Sequence, residues 1–386
     1  RRQRQMCIRD SFRRVVLAME VAIITFHAAH NYGSMLQAYA LQSFLKSIDY
    51  NAKIINFCPL SQENLYSLFP KEVSWKTKLK ASLRMILYPS TIKKHFNFKL
   101  FLKNYLDTTP KYKSVNELKK KCPVFDVYIS GSDQIWNSEI DDFSDAYLLS
   151  FVEHQRRVSY AASFGPIGII SATKQEMMRE ELNRYRTISV REEKSVALIQ
   201  EMIHRTVPVM PDPTLLLTRH QWDAILPDNF AIPKQEYILL YALCDEPELD
   251  NITDFISKNL DLPVVITKYL SGSKFFTYFK YKRKTTCGPR EFLSLLKNSK
   301  FVLSASFHGT VFSIIYQKPF FVYKGVADAR ISTLLKNTNL LERAITAENM
   351  EGRISKAYQI DFSQSESFIQ TERKRAVQFL QKALEK

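Results

Sequence analysis

Apolar and polar residues alternate along the chain as a series of strand-like and helix-like segments. Residues 20–26 form an apolar run rich in β-branched side chains, residues 34–48 place apolar side chains at helical spacing, and residues 52–57 form a second apolar run. A strand, an amphipathic helix and another strand in succession are typical of a parallel sheet covered by helices. The pattern therefore predicts a β–α–β unit with a polar loop at residues 27–33.

The alternation continues in two blocks on either side of residues 223–236, a stretch with prolines and little periodicity that is typical of a linker. The blocks predict two Rossmann-like α/β domains, over residues 19–222 and 235–365, followed by a C-terminal helix at residues 366–386. Ligands of such domains bind at the carboxyl ends of the strands, so we expect a cleft between the domains. Further strands are predicted at residues 126–130, 158–162, 187–190, 208–210, 237–243, 264–267, 301–304 and 320–323, and helices at residues 247–259, 289–298 and 309–316.

Composition narrows the class of protein. The 386 residues are 45% hydrophobic and 24% charged, which are ordinary values for a folded globular chain. No apolar run approaches the ~20 residues that cross a bilayer. The five cysteines are scattered, odd in number and without a CxxC pair, which excludes a disulfide framework and fits a reducing compartment. We therefore expect a cytoplasmic protein.

Residues 1–18 differ from the rest of the chain. They contain six arginines and one aspartate, and Met19 follows them directly before the first strand. Their apolar part is too short for a signal peptide. We expect these residues to be a non-native extension, with translation beginning at Met19, so that their removal leaves folding and activity unchanged.

The turn after the strand predicted at residues 301–304 is a candidate for chemistry. His308, Gly309 and Thr310 lie there between a buried strand and a helix. A glycine at a helix start lets an anion approach exposed N–H groups, and a neighbouring histidine can bind phosphate or act as an acid. From spacing alone, a capping turn with a packed histidine is an equal alternative.

Two other strand ends carry polar side chains. Ser132, Asp133 and Gln134 could bind sugar hydroxyls or supply a carboxylate base, with helix capping by Asp133 as the alternative. Arg191 offers a planar fork for a carboxylate or phosphate, with a surface pair to a neighbouring glutamate as the alternative. Asp212 stands between two prolines, and we interpret it as structural.

The loop after the first strand resembles a phosphate-binding turn without its defining residues. It contains His27, His30, Asn31, Tyr32 and Gly33 but neither GxGxxG nor a Walker A motif, so a dinucleotide site is not favoured. Two histidines three residues apart suggest a metal, but no nearby residue supplies a third ligand. We expect no metal site.

Seven motifs in order resemble the polysaccharide pyruvyl transferase family over about residues 20–345. Each motif alone is weak, and their order makes the resemblance specific. The motifs are TFH and NYGSMLQAYAL within residues 25–41, GSDQIWN at 131–137, SYAASFG at 159–165, SVRE at 189–192, DPTLL at 212–216, GPREF at 288–292 and SFHGT at 306–310.

The resemblance implies a GT-B-like fold and transfer of a pyruvyl group from phosphoenolpyruvate to two hydroxyls of a sugar, giving a cyclic ketal and phosphate. The implied acceptor is a lipid-linked or polymeric glycan, a precursor of a surface or capsular polysaccharide, with a hexose such as galactose as the modified sugar. Phosphoenolpyruvate is a co-substrate, and no cofactor is implied. By analogy, His308 and Arg191 contact the donor, beside Gly309 and Thr310. We expect Asp133 to be the base on the acceptor side.

One motif departs from the family pattern. Some members have an Arg-Leu-His-Gly turn where this chain has Ser306, Phe307, His308 and Gly309. A donor-binding cation must then come from elsewhere, and the candidates are Arg330 and Lys324. The residues expected to bind the acceptor are Asn31, Tyr32, Gly33, Ser132 and Gln134.

Two other classes of function remain as alternatives. A GT-B glycosyltransferase that uses a nucleotide-sugar donor would share the architecture and the cleft. The net charge of +16 suggests a nucleic-acid-binding protein, but the basic residues form no recognised nucleic-acid-binding motif. We therefore expect no nucleic acid partner.

Basic residues concentrate in residues 71–121, where fourteen Lys and Arg accompany three acidic residues and many large apolar side chains. The pattern predicts a basic helical insertion in the N-terminal domain. It would be either a solvated face on helices that join the core or a surface for anionic lipids. The second interpretation predicts peripheral binding to the cytoplasmic membrane face.

Overall fold

The structure is a computed structural model, and its strands form two parallel sheets. Among the described residues, the first sheet has four strands, in the spatial order 51–54, 20–24, 127–131 and 157–160. The second sheet has six, in the spatial order 344–345, 320–323, 301–305, 238–242, 264–266 and 282–283. Every registered strand pair is parallel. The described residues are 19–68, 74–75, 79, 89–153, 156–165, 170–242, 247–267, 281–284 and 286–385.

The first sheet contains β1 (Glu20–Ile24), β2 (Asn51–Ile54), β3 (Val127–Gly131) and β4 (Arg157–Tyr160). The predicted strands at residues 187–190 and 208–210 are single bridges that extend its β4 edge. The accompanying helices are α1 (Tyr32–Ser47), α2 (Leu60–Tyr66), α3 (Pro89–Tyr105), α4 (Val115–Lys121), α5 (Ala172–Asn183), α6 (Glu193–Ile203) and α7 (Arg219–Asp223), with 3₁₀ turns at Asp145–Leu148 and Pro213–Leu215.

The second sheet follows the linker. It contains β5 (Ile238–Ala242), β6 (Val264–Ile266), β7 (Lys282–Arg283), β8 (Phe301–Ala305), β9 (Phe320–Tyr323) and β10 (Ala344–Ile345). Its helices are α8 (Pro247–Leu260), α9 (Pro289–Asn298), α10 (Phe307–Ile315), α11 (Ala329–Asn337), α12 (Met350–Ile354) and α13 (Ser363–Leu384), with a 3₁₀ turn at Leu341–Arg343. The prediction of a helix at residues 289–298 is confirmed, and α10 begins two residues earlier than predicted.

Alternate residues of the central strands enter different cores, because both faces of each sheet are covered. In β1, Val21 and Ile23 belong to a core that also contains residues of the second sheet, whereas Ala22 and Ile24 belong to a core on the other face. The second sheet has its own outer core, which includes Phe301. Because the two sheets share this core, the packing of its side chains fixes their relative position.

Tyr32 forms part of this shared core at the first turn of α1. Its ring stacks on Phe292 of α9 at 4.6 Å between centroids and lies 5.3 Å from Phe98 of α3. Its hydroxyl donates to the carbonyl oxygens of Cys287 at 3.2 Å and Thr267 at 3.3 Å. These contacts join the N-terminal sheet's first helix to the C-terminal half.

The C-terminal helix α13 packs back on the N-terminal half. The guanidinium of Arg186 donates to the carbonyl oxygen of Ala383, and Arg373 donates from Nε to the carbonyl oxygen of Leu215 at 2.8 Å. Helix α13 also contributes Leu380 to the shared core. The chain therefore crosses from the first half to the second and returns.

The predicted basic insertion lies partly outside the described residues, and residues 1–18 lie entirely outside them. Its described helices are α3 and α4. On α3, Phe98 and Phe101 are buried, whereas Phe96 and Leu100 are more than half exposed. Among the described residues, no helix is long and apolar enough to span a bilayer.

Candidate active site

The candidate active site lies where the carboxyl edges of the two sheets meet. Segments that follow β1, β3, the bridge at Val190, the bridge at Val209 and β8 converge there. Carboxyl edges of parallel strands present loops and helix N-termini to a shared crevice, which is where such folds bind ligands. The side chains of Arg191, Asp212 and His308 meet at this edge.

Asp212 is the residue that connects these side chains. Its Oδ2 accepts from Arg191 Nη1 at 2.8 Å and from Ser132 Oγ at 3.4 Å, and it lies 3.6 Å from His308 Nε2. Its Oδ1 accepts from the backbone N–H and the hydroxyl of Thr214 at 3.0 and 2.6 Å. One buried carboxylate therefore links residues from both halves. We call Ser132, Arg191, Asp212, Thr214 and His308 the Asp212 cluster.

The charges of the cluster compensate one another. Burial by itself would raise the pKa of the Asp212 carboxyl, but His308, Arg191 and Thr214 beside it lower that pKa below its ordinary value. Burial by itself would lower the pKa of Arg191, but the carboxylates of Glu192, Asp212 and Asp133 outweigh it and raise that pKa. Arg191 and Asp212 are therefore both charged at neutral pH.

Three buried polar atoms near the cluster have no hydrogen-bond partner among the described residues: Arg191 Nη2, His308 Nε2 and the hydroxyl oxygen of Tyr241. The 3.6 Å separation of His308 from Asp212 is too long for a good hydrogen bond. An unmatched buried donor costs about 1–3 kcal/mol, and more when it is charged. Unmatched donors beside a cleft indicate a site built to bind a ligand that accepts hydrogen bonds.

Two glycines leave room for close contacts of His308 and its helix, one with α1 and one with the end of β8. A Cβ added to Gly33 would lie 2.1 Å from His308 Nδ1, and one added to Gly309 would lie 2.3 Å from the hydroxyl oxygen of Ser304. Neither position has room for a side chain. Gly33 therefore contacts the predicted catalytic histidine directly, because the first turn of α1 packs against its ring.

Asp133 lies at the end of β3 in a left-handed conformation, with φ = 64°. Its Oδ2 accepts from the hydroxyl of Ser34 at 2.6 Å, and its Oδ1 accepts from the backbone N–H of Gln134 at 2.9 Å. Aspartate tolerates this backbone conformation better than most residues, and such strain is frequent at functional sites. The structure therefore fixes the Asp133 carboxylate beside the first turn of α1.

A cavity of about 420 Å³ opens beside the cluster, between the two halves. Glu192 lines it from the first half, and Lys324 and Arg330 line it from the second. The guanidinium carbons of Arg191 and Arg330 lie 5.1 and 5.9 Å from the centroid of the Phe307 ring. Phe307, one of the two positions where this chain departs from the Arg-Leu-His-Gly turn, is therefore flanked by two arginines.

Arg330 and Lys324 are both paired in this structure. Asp328 accepts from Arg330 Nε at 3.0 Å and from Nη2 at 2.6 Å. Lys324 lies 3.9 Å from a carboxylate oxygen of Glu248. The cavity thus combines cations with carboxylates that hold them in place.

The other predicted acceptor residues have structural contacts. The side-chain oxygen of Asn31 caps α1 by accepting from the N–H groups of Gly33 at 2.9 Å and Ser34 at 3.4 Å. Tyr32 is buried in the contact between the halves, and the side-chain oxygen of Gln134 accepts from Asn137 at 3.3 Å. Their predicted contacts with an acceptor stay predictions.

Thr310 and the two histidines of the first loop also have local partners. The Thr310 hydroxyl donates to the Ser306 carbonyl oxygen at 3.0 Å. His27 contacts the Thr25 carbonyl oxygen and Asn56, and His30 packs among aromatic rings. Within the described part of the chain, no group of three or more His, Cys, Asp or Glu is placed to hold a metal ion.

Sequence reasoning missed the central position of Asp212. It does cap the turn at Pro213–Leu215, as a structural interpretation expects, through the bond from Thr214. Its other carboxylate oxygen faces Arg191 and His308. The available signal was its place just after an apolar run, the same criterion that singled out Asp133 and Arg191.

These observations define a two-domain α/β protein of the GT-B type with a polar site at the domain cleft. The sequence profile of the polysaccharide pyruvyl transferase family matches residues 31–324. The chain therefore belongs to this family, and it is a transferase whose family implies a polysaccharide acceptor. No protein of curated function is detectably similar to it in sequence.

Solved structures resemble the fold at low sequence identity. A Listeria monocytogenes protein assigned as a UDP-N-acetylglucosamine 2-epimerase has a TM-score of 0.54 and 11% identity, over 92% of this chain and 91% of its own. Another UDP-N-acetylglucosamine 2-epimerase has a TM-score of 0.52 and 12% identity, over 94% and 95%. Staphylococcus aureus MnaA with UDP has a TM-score of 0.51 and 11% identity, over 90% of each chain. These similarities confirm the predicted GT-B-like fold.

Proposed function

We propose that the protein transfers a pyruvyl group from phosphoenolpyruvate to two hydroxyls of one sugar in a glycan, forming a cyclic ketal and releasing phosphate. Phosphoenolpyruvate carries a phosphate and a carboxylate, so its site needs cations and N–H donors. The observation that carries the proposal is the pair of buried nitrogens, Arg191 Nη2 and His308 Nε2, that have no hydrogen-bond partner among the described residues.

The surroundings of these nitrogens supply further groups for an anion. Helix α10 begins next to His308, and its N-cap Ser306 makes no side-chain capping bond. The exposed N–H groups and the dipole of a helix N-terminus favour negative charge. Arg330 lines the adjacent cavity, and since Asp328 takes Nε and Nη2, it would reach the donor through Nη1. Lys324 would contribute charge from the cavity wall.

The proposed reaction balances with two acid–base groups. A proton added to the methylene carbon of phosphoenolpyruvate makes C2 electrophilic, and a sugar hydroxyl attacks C2 as its own proton passes to a base. The bond between C2 and the ester oxygen then breaks, and phosphate leaves with that oxygen and one proton. The second hydroxyl attacks C2 and closes the ring as its proton passes to the base, so the two hydroxyl protons replace the one added to the methylene carbon and the one that leaves with phosphate. His308 would bind the phosphate or act as the acid, and Asp133 would act as the base.

The experiment compares ligands by thermal stabilisation of the full chain. Phosphoenolpyruvate should raise the melting temperature, because a ligand that binds the folded state stabilises it. UDP-N-acetylglucosamine should not. Stabilisation by the nucleotide sugar alone would overturn the proposal in favour of a glycosyltransferase.

Substitution of Arg191 connects this binding to the site. Arg191→Lys should weaken phosphoenolpyruvate binding nearly as much as Arg191→Ala, because an ammonium cannot replace a planar fork. Arg179→Lys, in an exposed pair with Glu176, is the matched control and should bind normally. Unchanged affinity of Arg191→Lys for phosphoenolpyruvate would show that Arg191 has only a structural role.

The acceptor would be presented at an anionic membrane surface. Leu65, Trp75, Leu79, Phe96 and Leu100 are all more than half exposed, and they lie within residues 65–100 together with many lysines. Exposed apolar side chains beside lysines favour binding to anionic lipids, at about 1 kcal/mol for each basic residue near the surface.

Vesicle co-sedimentation tests this part of the proposal. The protein should bind vesicles of anionic phospholipid at low salt and release as salt rises. Lys93→Glu with Lys103→Glu, both exposed on α3, should weaken binding, whereas Lys258→Glu with Lys336→Glu in the second half should not. Absence of binding at low salt would overturn the membrane proposal and leave the donor chemistry untouched.

A further inference from the structure

A second cavity, of about 180 Å³, lies in the N-terminal half, away from the cavity beside Arg330. Ala28 and His30 line it from the loop after β1, and Asn56 and Cys58 line it from the segment after β2. It therefore opens at the same carboxyl edge of the first sheet as Asp133. We call it the His30 pocket.

Aromatic rings form one wall of the His30 pocket. The His30 ring lies 5.0 Å from Phe98, 5.3 Å from Tyr66 and 4.8 Å from His95, measured between centroids. Burial together with His95, Lys94 and Lys99 lowers the pKa of His30 to about 3, so this ring is neutral at physiological pH. Such a wall suits a ligand with an apolar face, as a pyranose ring presents through its C–H bonds.

A buried amide supplies the polar side of the pocket. Gln62 is 1% exposed, and neither its side-chain oxygen nor its nitrogen has a hydrogen-bond partner among the described residues. Asp142 and Tyr147 lie beside the amide, and Gln62 lowers the pKa of each against the effect of burial. Glu63 pairs with Lys111 at 3.1 Å on the pocket wall. An amide that both donates and accepts matches a sugar hydroxyl, which also does both.

The loop after β1 connects the pocket to the proposed catalytic residues. His30 lines the pocket, Gly33 three residues later supports the His308 ring, and Ser34 holds the Asp133 carboxylate. Three residues span at most about 11 Å. Asp133 is also close enough to contribute to the raised pKa of Tyr66, after burial and Asp142.

From this geometry we propose that the His30 pocket binds one pyranose ring of the acceptor glycan, with Gln62 holding its hydroxyls and the aromatic wall packing on its face. The inference rests on the proposed function, since it assigns that reaction an acceptor subsite. It adds specificity residues that lie outside the seven sequence motifs, because Gln62, Tyr66 and His95 belong to none of them.

The kinetic test uses Gln62→Met, which preserves size and removes both hydrogen-bonding atoms. With a galactoside acceptor, KM for the acceptor should rise about tenfold, equivalent to about 1.4 kcal/mol, while KM for phosphoenolpyruvate stays unchanged. Gln370→Met, on the exposed face of α13, is the matched control and should behave as the unsubstituted protein.

A binding measurement separates this inference from the proposed function. Saturation-transfer NMR with methyl β-D-galactopyranoside and the full chain should show transfer that Gln62→Met reduces and that inorganic phosphate does not displace. An active enzyme with unchanged acceptor KM in a folded Gln62→Met variant would overturn the pocket assignment alone. Absence of phosphoenolpyruvate binding and of phosphate release would instead overturn the proposed function, whether or not the sugar binds.

Discussion

The Asp212 cluster and the His30 pocket lie at neighbouring strand ends and are both largely buried, yet their titratable groups behave in opposite ways. In the cluster, Arg191 and Asp212 stay charged because each has a buried partner of opposite sign. In the pocket, His30 stays neutral because burial and the positive charges of Lys94 and Lys99 disfavour its protonation.

The difference shows that burial alone does not decide the charge of a site. Desolvation disfavours the charged form in both regions, and the sign of the nearest charges determines whether it prevails. A cluster with unmatched buried nitrogens suits an anionic donor, whereas a pocket whose histidine is neutral and packs among aromatic rings suits a sugar.

The largest expected effect comes from removing the histidine of the cluster. His308→Ala should reduce kcat by at least ~10²-fold, which is typical for loss of an acid–base or charge-stabilising group. The fold should persist, because Asp212 keeps its bonds from Arg191 and Thr214 when the imidazole is removed. Phosphate release and circular dichroism on the same preparation check both statements. Near-normal turnover in a folded variant would make His308 a packing residue.

Asp212→Asn should produce the next largest effect, this time on stability. Removing one charge of a buried pair costs about 3–5 kcal/mol, and the bond of Arg191 to Glu192 places this change at the lower end. The pKa of Asp212 is lower in the folded than in the unfolded protein, so its contribution is present at neutral pH. It is lost as pH falls below the ordinary aspartate value of about 3.9.

Denaturant unfolding of both proteins from pH 7 to pH 3 measures this window. The difference in free energy of unfolding between the unsubstituted protein and Asp212→Asn should be largest near pH 7 and shrink below about pH 4. Arg179→Lys serves again as a control with no pH-dependent difference. A constant difference across the range would show that the carboxylate is not specially stabilised.

The smallest expected effect is on stability between pH 7 and pH 5. In this range the contribution of His30 changes with pH, whereas that of Asp212 does not. The unfolded chain protonates His30 near pH 6.5, whereas the folded chain does so near pH 3. Stability from this residue is therefore lost as pH falls from 6.5, by about 1.4 kcal/mol per pH unit. His30→Gln should reduce the loss between pH 7 and pH 5 by about 1–2 kcal/mol. An unchanged loss would mean that His30 has the same pKa in the folded protein as in the unfolded chain.

Candidate site residues could be predicted where a polar group follows an apolar strand. This rule singled out Asp133, Arg191 and His308, and the structure brings Arg191 and His308 to a common carboxylate. It did not identify that carboxylate, because a proline on each side of Asp212 suggested a turn with local bonds only. Nor did it identify Gln62, whose position in a short helix carries no periodic signal.

The sequence by itself determined the elements, because alternation and helical spacing reflect which faces are buried locally. Residues 20–57 predicted their β–α–β unit, and the helix at Pro289–Asn298 was predicted to the residue. The seven motifs of the sequence also identified the family.

Only the tertiary structure decided which distant elements share a core and a site. The stacking of Tyr32 on Phe292, the return of α13 to the first half and the meeting of Gly33 with His308 all join residues more than 150 positions apart. Such contacts depend on how the two sheets pack together. Local hydrophobic patterns do not encode that packing, because the same buried face can pack against many partners.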